Sequence, residues 1–315
     1  MPAPARAPDP TAVPAGGLLA IFGPTGVGKT DVALAVADRL RAAGRRPVAV
    51  SADALQVYRG LEIITGVPGA AERARLEHLL VSIVPIDATF SVAQYAELAH
   101  AEIDALLAQG ATPIVVGGTG LYLRAALASL DLRPLPPEDV RRRWEAELDA
   151  EGPAALHARL AQRAPWAASG IDPADRHRIV RAHALLDMGE LEPPDGPSRL
   201  WTDDTRRPTR LIGLVRDRAE LYERIDARVL AMVAAGAVDE VRAAQAAGAS
   251  ETARRALGFD ELLTGDIEGM QRRTRNFAKR QLTWMRKLAG VELLDVTGRD
   301  PEAVATAILS PPGAS

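Results

Sequence analysis

The chain has 315 residues, 38 of them Lys or Arg and 41 Asp or Glu, for a net charge of -3 and a pI near 6.0. Any nucleic-acid surface must therefore be a local patch rather than a basic domain. Cysteine is absent, which excludes disulfides, thiol catalysis and Cys-ligated zinc and fits a reducing cytoplasm; no apolar run reaches the roughly 18 residues of a membrane span, so none is expected, and a monomer is the default expectation. Residues 1–16, rich in Pro and Ala, and residues 310–315 read as disordered tails.

Leu18 to Phe22 is a short apolar run ending at Gly23 and reads as a buried strand. A helix follows over Asp31 to Leu40, with Gly44 just past its end. Pro47 to Val50 predicts a second strand that ends at Ser51-Ala52-Asp53. A helix over Val92 to Leu107, capped by Ser91, leads to a strand at Pro113 to Val116 that Gly117-Gly118 stops. A further helix runs from Leu121 to about Ala128. Strands alternating with helices imply an α/β fold with a parallel sheet. From 131 to 207 the pattern becomes helical with polar turns and no strand. Leu211 to Val215 restores a strand, and Glu220 to Gln245 reads as one long helix. The expected organisation is a core over 17–130 and 208–309 with a helical insertion at 131–207.

Gly23-Pro24-Thr25-Gly26-Val27-Gly28-Lys29-Thr30 matches the P-loop pattern, between an apolar strand and a helix. The glycines let backbone N–H groups converge on an anion, the helix N-terminus adds its dipole, Lys29 supplies a point charge and Thr30 offers a hydroxyl to Mg²⁺. Only three of the 38 basic residues are lysines, so Lys29 stands out in a chain that otherwise uses Arg. The motif specifies a phosphate or diphosphate ligand, as a nucleotide-binding site would, but not ATP hydrolysis. The Pro113 to Val116 strand ends in glycines rather than the Mg²⁺-binding Asp of a typical P-loop ATPase. That leaves a nucleotide-kinase-like P-loop transferase.

Three more segments join the loop: Ser51-Ala52-Asp53-Ala54-Leu55-Gln56-Val57-Tyr58-Arg59-Gly60, Val115-Val116-Gly117-Gly118-Thr119-Gly120-Leu121-Tyr122, and Ala278-Lys279-Arg280-Gln281-Leu282-Thr283-Trp284. In this order, with Leu221 to Arg228 and Ala256 to Phe259, the chain resembles the tRNA dimethylallyltransferases, also called tRNA isopentenyltransferases, from about Leu18 to Leu294. The resemblance implies a P-loop kinase-like core with a helical tRNA-binding insertion. It implies transfer of a dimethylallyl group from dimethylallyl diphosphate to N6 of the adenosine 3′ of the anticodon, with Mg²⁺ as cofactor and the anticodon stem-loop of tRNA as partner.

Residue by residue, the resemblance makes Asp53 the base that accepts a proton from N6. Read from the residues alone, Asp53 at a strand end is also a turn cap or a Mg²⁺ ligand. Arg224 and Arg228, one helical turn apart, would reach the diphosphate, or else are ordinary surface charge. Thr119 would sit beside the reacting groups, or is a plain turn residue. Ala54, Leu55 and Gln56 join Asp53 and Thr119 in the expected tRNA contact, the Gln56 amide pairing with base edges; Tyr58 stacks on a base or is core. Arg141 and the stretch His177, Arg178, Ile179, Val180 and Arg181 form basic groups in the insertion. Lys279 and Arg280 close a run from Arg272 that contains Arg273 and Arg275 and no acidic residue. The target base must be flipped out of its stacked loop to react.

Several positions depart from the family pattern: Ala54 replaces a serine, Thr65-Gly66-Val67-Pro68 lacks a lysine, Glu77-His78 replaces a His pair, and Gly258-Phe259-Asp260 replaces Gly-Tyr-Lys. None touches the P-loop, Asp53 or Thr119. Two other classes compete: a small-molecule kinase using ATP, which leaves the basic C-terminal segment unexplained, and an RNA-binding module with a vestigial nucleotide site, which an intact Lys29-Thr30 pair and Asp53 oppose.

Overall fold

The computed structural model describes residues 13–14, 16–193, 196 and 199–310. The two tails expected from the sequence therefore lie almost entirely outside the described residues. Two compact units divide the chain: one is residues 131–198, and the other comprises the segments before and after it.

The larger unit is built on a six-stranded parallel sheet: β1 (Leu18–Phe22), β2 (Pro47–Ser51), β3 (His78–Leu79), β4 (Thr112–Gly117), β5 (Thr209–Val215) and β6 (Val291–Asp295), ordered β3-β2-β4-β1-β5-β6. The strand at its centre, β1, pairs Ala20 with Val115 on one side and Leu211 on the other. All five β1 residues are buried, as expected for a strand covered on both faces. The helix Lys29–Ala42 covers one face through Val32, Val36 and Leu40, joined by Val304 and Ile308 of the helix Pro301–Leu309. Each such aliphatic side chain contributes about 1.5–3 kcal/mol by leaving water.

Strand direction positions the site. Because β2, β4 and β1 are parallel neighbours, the loops after them open on one edge of the sheet. These loops carry Asp53, Thr119 and the Gly23–Thr30 segment. They pack so closely that a Cβ on Gly117 would run into the Ala52 carbonyl, which is why glycine stands there.

Three features were not read from the sequence. The two-residue β3 and the edge strand β6 carry little apolar signal; β6 alternates only loosely and is largely exposed. The long helix expected over 220–245 is two helices, Arg218–Ala234 and Ala237–Ala246. Gly236 between them adopts φ +98, a left-handed turn that ends one helix and starts the next. The stretch before β5 also behaves differently from expectation: residues 199–207 group with the larger unit rather than with 131–198. The buried guanidinium of Arg124 ties them there, donating to the carbonyls of Arg199, Leu200 and Asp204.

The smaller unit is helical: Glu138–Glu151, Pro153–Arg163, Pro165–Ala168 and Arg176–Asp187. Its core holds Trp144, Leu148, Leu156, Ile179, Val180 and Ala184. The Trp144 ring stacks on His183 at 4.1 Å and its indole N–H donates to Asp187 at 2.9 Å. Burial pushes His183 below the usual histidine range.

Candidate active site

A cavity of about 730 Å³ opens at the sheet edge, lined by the Gly23–Thr30 loop, Asp53, Thr119, Arg224, Arg228 and the face of the helix Ile267–Met285. The loop is shaped for an anion. Gly26 and Gly28 take φ +81 and +103, a conformation that turns backbone N–H groups inward and that L side chains resist. Gly28 is also the N-cap of the Lys29–Ala42 helix, so the positive end of that helix faces the cavity.

Lys29 folds back over this loop, its ammonium donating to the Gly23 carbonyl at 2.9 Å and the Pro24 carbonyl at 3.0 Å. Burial depresses it from the ordinary lysine value to about 8, with Asp53 opposing that shift and Arg228 adding to it. An incoming anion would favour the charged form and raise this value again. Arg224 donates to the Gly26 carbonyl at 3.0 Å and so braces the loop. Arg228 sits one turn further into the cavity, and burial lowers its pKa. Its guanidinium occupies the space beside Gly66, where any Cβ would overlap it.

Asp53 caps the turn that follows its strand. Its Oδ1 accepts from the Leu55 N–H at 3.0 Å and the Gln56 N–H at 3.4 Å, an Asx-type turn that fixes the carboxylate. Its Oδ2 carries no hydrogen bond among the described residues, and the side chain lines the same cavity as Lys29. Thr119 lines it too, accepting the Ala54 N–H at 3.4 Å. The tyrosine pair Tyr95 and Tyr122, rings 4.5 Å apart, packs beneath, and burial raises both hydroxyl pKa values. Thr30 lines the cavity beside the loop. No cluster of three or more His, Asp or Glu side chains able to hold a metal occurs among the described residues. A Mg²⁺ that takes most of its ligands from phosphate and water fits one hydroxyl and needs no such cluster.

Other expected contacts look different in the structure. The Gln56 amide is spent internally: Nε2 donates to the Thr65 and Gly66 carbonyls and Oε1 accepts from Ser51. It holds the 65–66 turn and has little left for a base edge. Tyr58 is fully buried, so it is core and no stacking platform. Ile179 and Val180 are 0% and 4% exposed in the core of the smaller unit, which corrects their place among the RNA contacts. On that helix His177 and Arg178 are exposed, whereas Arg181 donates to the carbonyls of Arg133 and Pro134. Arg141 pairs with Glu145 at 3.2 Å.

The basic run on the Ile267–Met285 helix is also less uniform than its sequence. Arg273 pairs with Glu261, Arg275 with Asp226, and Arg272 lies near Asp266 and Glu268. Lys279 and Arg280 are exposed and have no acidic partner among the described residues; they lie over the rings of Tyr222 and Phe277.

Two side chains given no role of their own from the sequence, Glu240 and Gln281, support the site. Glu240 accepts from the N–H groups of Ile63 and Ile64 at 2.8 and 2.9 Å, capping the short helix whose end meets Arg228. Gln281 bridges the glycine loop and the turn after β4. Its signal was a polar residue at a core position: Met270, Thr274, Ala278, Gln281 and Met285 form the buried stripe of that helix.

The IPP transferase family matches residues 56–288. The chain is 43% identical to a tRNA dimethylallyltransferase of Kineococcus radiotolerans, over 93% of this chain and 95% of that protein. This chain belongs to the tRNA dimethylallyltransferase family. A relative of the same name from Thermobifida fusca is 42% identical over 86% of this chain and 87% of its own length. Among solved structures, the tRNA isopentenylpyrophosphate transferase of Bacillus halodurans aligns with a TM-score of 0.66 and 33% identity, covering 92% of this chain and 93% of that one. A eukaryotic dimethylallyltransferase acting on tRNA has a TM-score of 0.71 at 24% identity, over 89% of this chain and 74% of its own, and shares the fold. No helix among the described residues is long and apolar enough to cross a membrane.

Proposed function

We propose that this protein transfers the dimethylallyl group of dimethylallyl diphosphate to N6 of the adenosine 3′ of the anticodon in tRNA, releasing diphosphate. The observation that carries this reading is one cavity holding both an anion cradle and an unspent carboxylate oxygen, Lys29 with its glycine loop and Asp53. The lone pair of N6 is delocalised into the ring, so the amine is a weak nucleophile. Asp53, fixed by its bonds to the Leu55 and Gln56 N–H groups, accepts the N6 proton as the N6–C1 bond forms. The C1–O bond to diphosphate breaks and its electron pair leaves with the diphosphate. Lys29, Arg224, Arg228 and the loop N–H groups face that developing charge. The Thr30 hydroxyl would hold a Mg²⁺ ion, whose chemistry is to neutralise charge on the diphosphate.

For tRNA, Lys279 and Arg280 are exposed cations available to phosphates, and His177 and Arg178 are exposed on the helical unit. Incubation with unmodified tRNA, Mg²⁺ and labelled dimethylallyl diphosphate should place label on tRNA. Replacing the donor with ATP should transfer no phosphoryl group. Phosphoryl transfer from ATP to a small hydroxyl compound, with unlabelled tRNA, would contradict the proposal and favour the kinase reading.

A further inference from the structure

Gln281 stands where three motifs far apart in sequence meet. Its side chain is 5% exposed. Its Oε1 accepts the Thr25 N–H at 2.9 Å, and its Nε2 donates to the Gly118 carbonyl at 2.7 Å. Both ends of one amide are thereby satisfied, one by the anion loop and one by the turn that carries Thr119. The approach is tight: a Cβ on Gly118 would overlap the Gln281 Nε2 and come within 3.3 Å of both the Lys29 ammonium and the Gly23 carbonyl. One turn on, a Cβ on Gly120 would enter the Trp284 ring. From Gly118 the connection continues, because Thr119 accepts the Ala54 N–H next to Asp53.

We propose that Gln281 is a positioning residue for prenyl transfer: its amide sets the separation between the loop that grips the diphosphate and the turn that aligns the acceptor side. The inference rests on the reading of the preceding subsection. An apolar residue would satisfy the helix stripe, yet it would leave the part-buried Thr25 N–H and the buried Gly118 carbonyl without this partner. The two halves of the reaction would then be free to drift apart. A misplacement of about 1 Å costs on the order of 10²-fold in rate. Gln281 needs no contact with either substrate to have this effect.

The test compares steady-state constants for Gln281→Met, Gln281→Glu and Met285→Ala in the full-length protein, with thermal unfolding of each. Gln281→Met keeps the volume and loses both hydrogen bonds; kcat should fall about 10²-fold while KM for tRNA changes less than about threefold. Gln281→Glu keeps the acceptor for Thr25 but sets a carboxylate oxygen against the Gly118 carbonyl, so kcat should fall at least as far as in Gln281→Met. Met285→Ala loosens the same stripe against Gly213 and should lower Tm with kcat near wild type. Should Gln281→Met fail to fold, Gly118→Ala disturbs the same joint from the other side and should show the same loss of kcat. Folded Gln281→Met or Gly118→Ala with wild-type kcat overturns the proposal, as does an equal kcat loss in Met285→Ala at matched Tm. Wild-type protein that labels no tRNA overturns the parent reading and this inference with it; wild-type labelling with unimpaired variants overturns this inference alone.

Discussion

The two ends of the cavity are held by different physics. At the phosphate end, backbone conformation does the shaping: two glycines at positive φ and a helix N-terminus turn N–H groups toward one point. At the acceptor end, side chains from remote segments do it: Gln281 spans to Thr25 and Gly118, Gln56 to Thr65 and Gly66, Glu240 to Ile63 and Ile64. The first arrangement takes its shape from consecutive residues, with Gln281 and Arg224 bracing it from outside; the second is made almost wholly by side chains from distant segments. Damage at the first end should therefore appear as lost diphosphate binding, and damage at the second as lost alignment.

The sharpest break of that contrast is Asp53→Ala, which removes the proton acceptor from the acceptor end. Its kcat should fall by about 10²–10⁴-fold, while titration with inorganic diphosphate shows near wild-type affinity. Lys29→Met attacks the other end; kcat/KM for dimethylallyl diphosphate should drop about 10²-fold, and diphosphate affinity should drop with it, leaving tRNA affinity unchanged.

The pH dependence sharpens the comparison. Lys29 is depressed to about 8 in the free protein, so the ammonium needed by the anion is present below that pH and lost above it. Diphosphate affinity should weaken as pH rises through 8, approaching tenfold per unit where only the protonated form binds. Lys29→Met should flatten this profile. A profile unchanged by the substitution would mean another group governs it.

How much of this was legible in the sequence follows the same division. The α/β core, the glycine loop and the strand-end Asp53 and Thr119 could be read because strand ends and glycine turns are written in consecutive residues. Gln56, Tyr58, Ile179 and Val180 could not be placed, because their burial and partners are decided by segments distant in the chain. The basic run was misleading for a related reason: the acids that neutralise Arg273 and Arg275 are Glu261 and Asp226, outside the run itself. The break at Gly236 was visible as a glycine, but a glycine inside an apolar helical pattern is also tolerated.

That charge pairing predicts a graded set of tRNA effects. Lys279→Ala and Arg280→Ala should each weaken tRNA binding across sequences and reduce the salt slope by about one. Arg273→Ala should do less, since it mainly leaves Glu261 without its partner. Equal salt effects from all three would place Arg273 on the RNA path as well. The smallest effect belongs outside the cavity: Gly236→Ala, at φ +98, should cost about 1–2 kcal/mol of stability in denaturant titration, with kcat unchanged.

The measurement that bears most directly on a shared cavity for diphosphate and adenine is the position of the new bond. Unmodified tRNA, treated with the protein, Mg²⁺ and dimethylallyl diphosphate, is cut by a base-specific ribonuclease, and the fragments are mapped by tandem mass spectrometry before digestion to nucleosides. The account predicts N6-dimethylallyladenosine at the residue 3′ of the anticodon, formed far more slowly by Asp53→Ala. Modification at another base, ribose or phosphate, or undiminished product from Asp53→Ala, would contradict it.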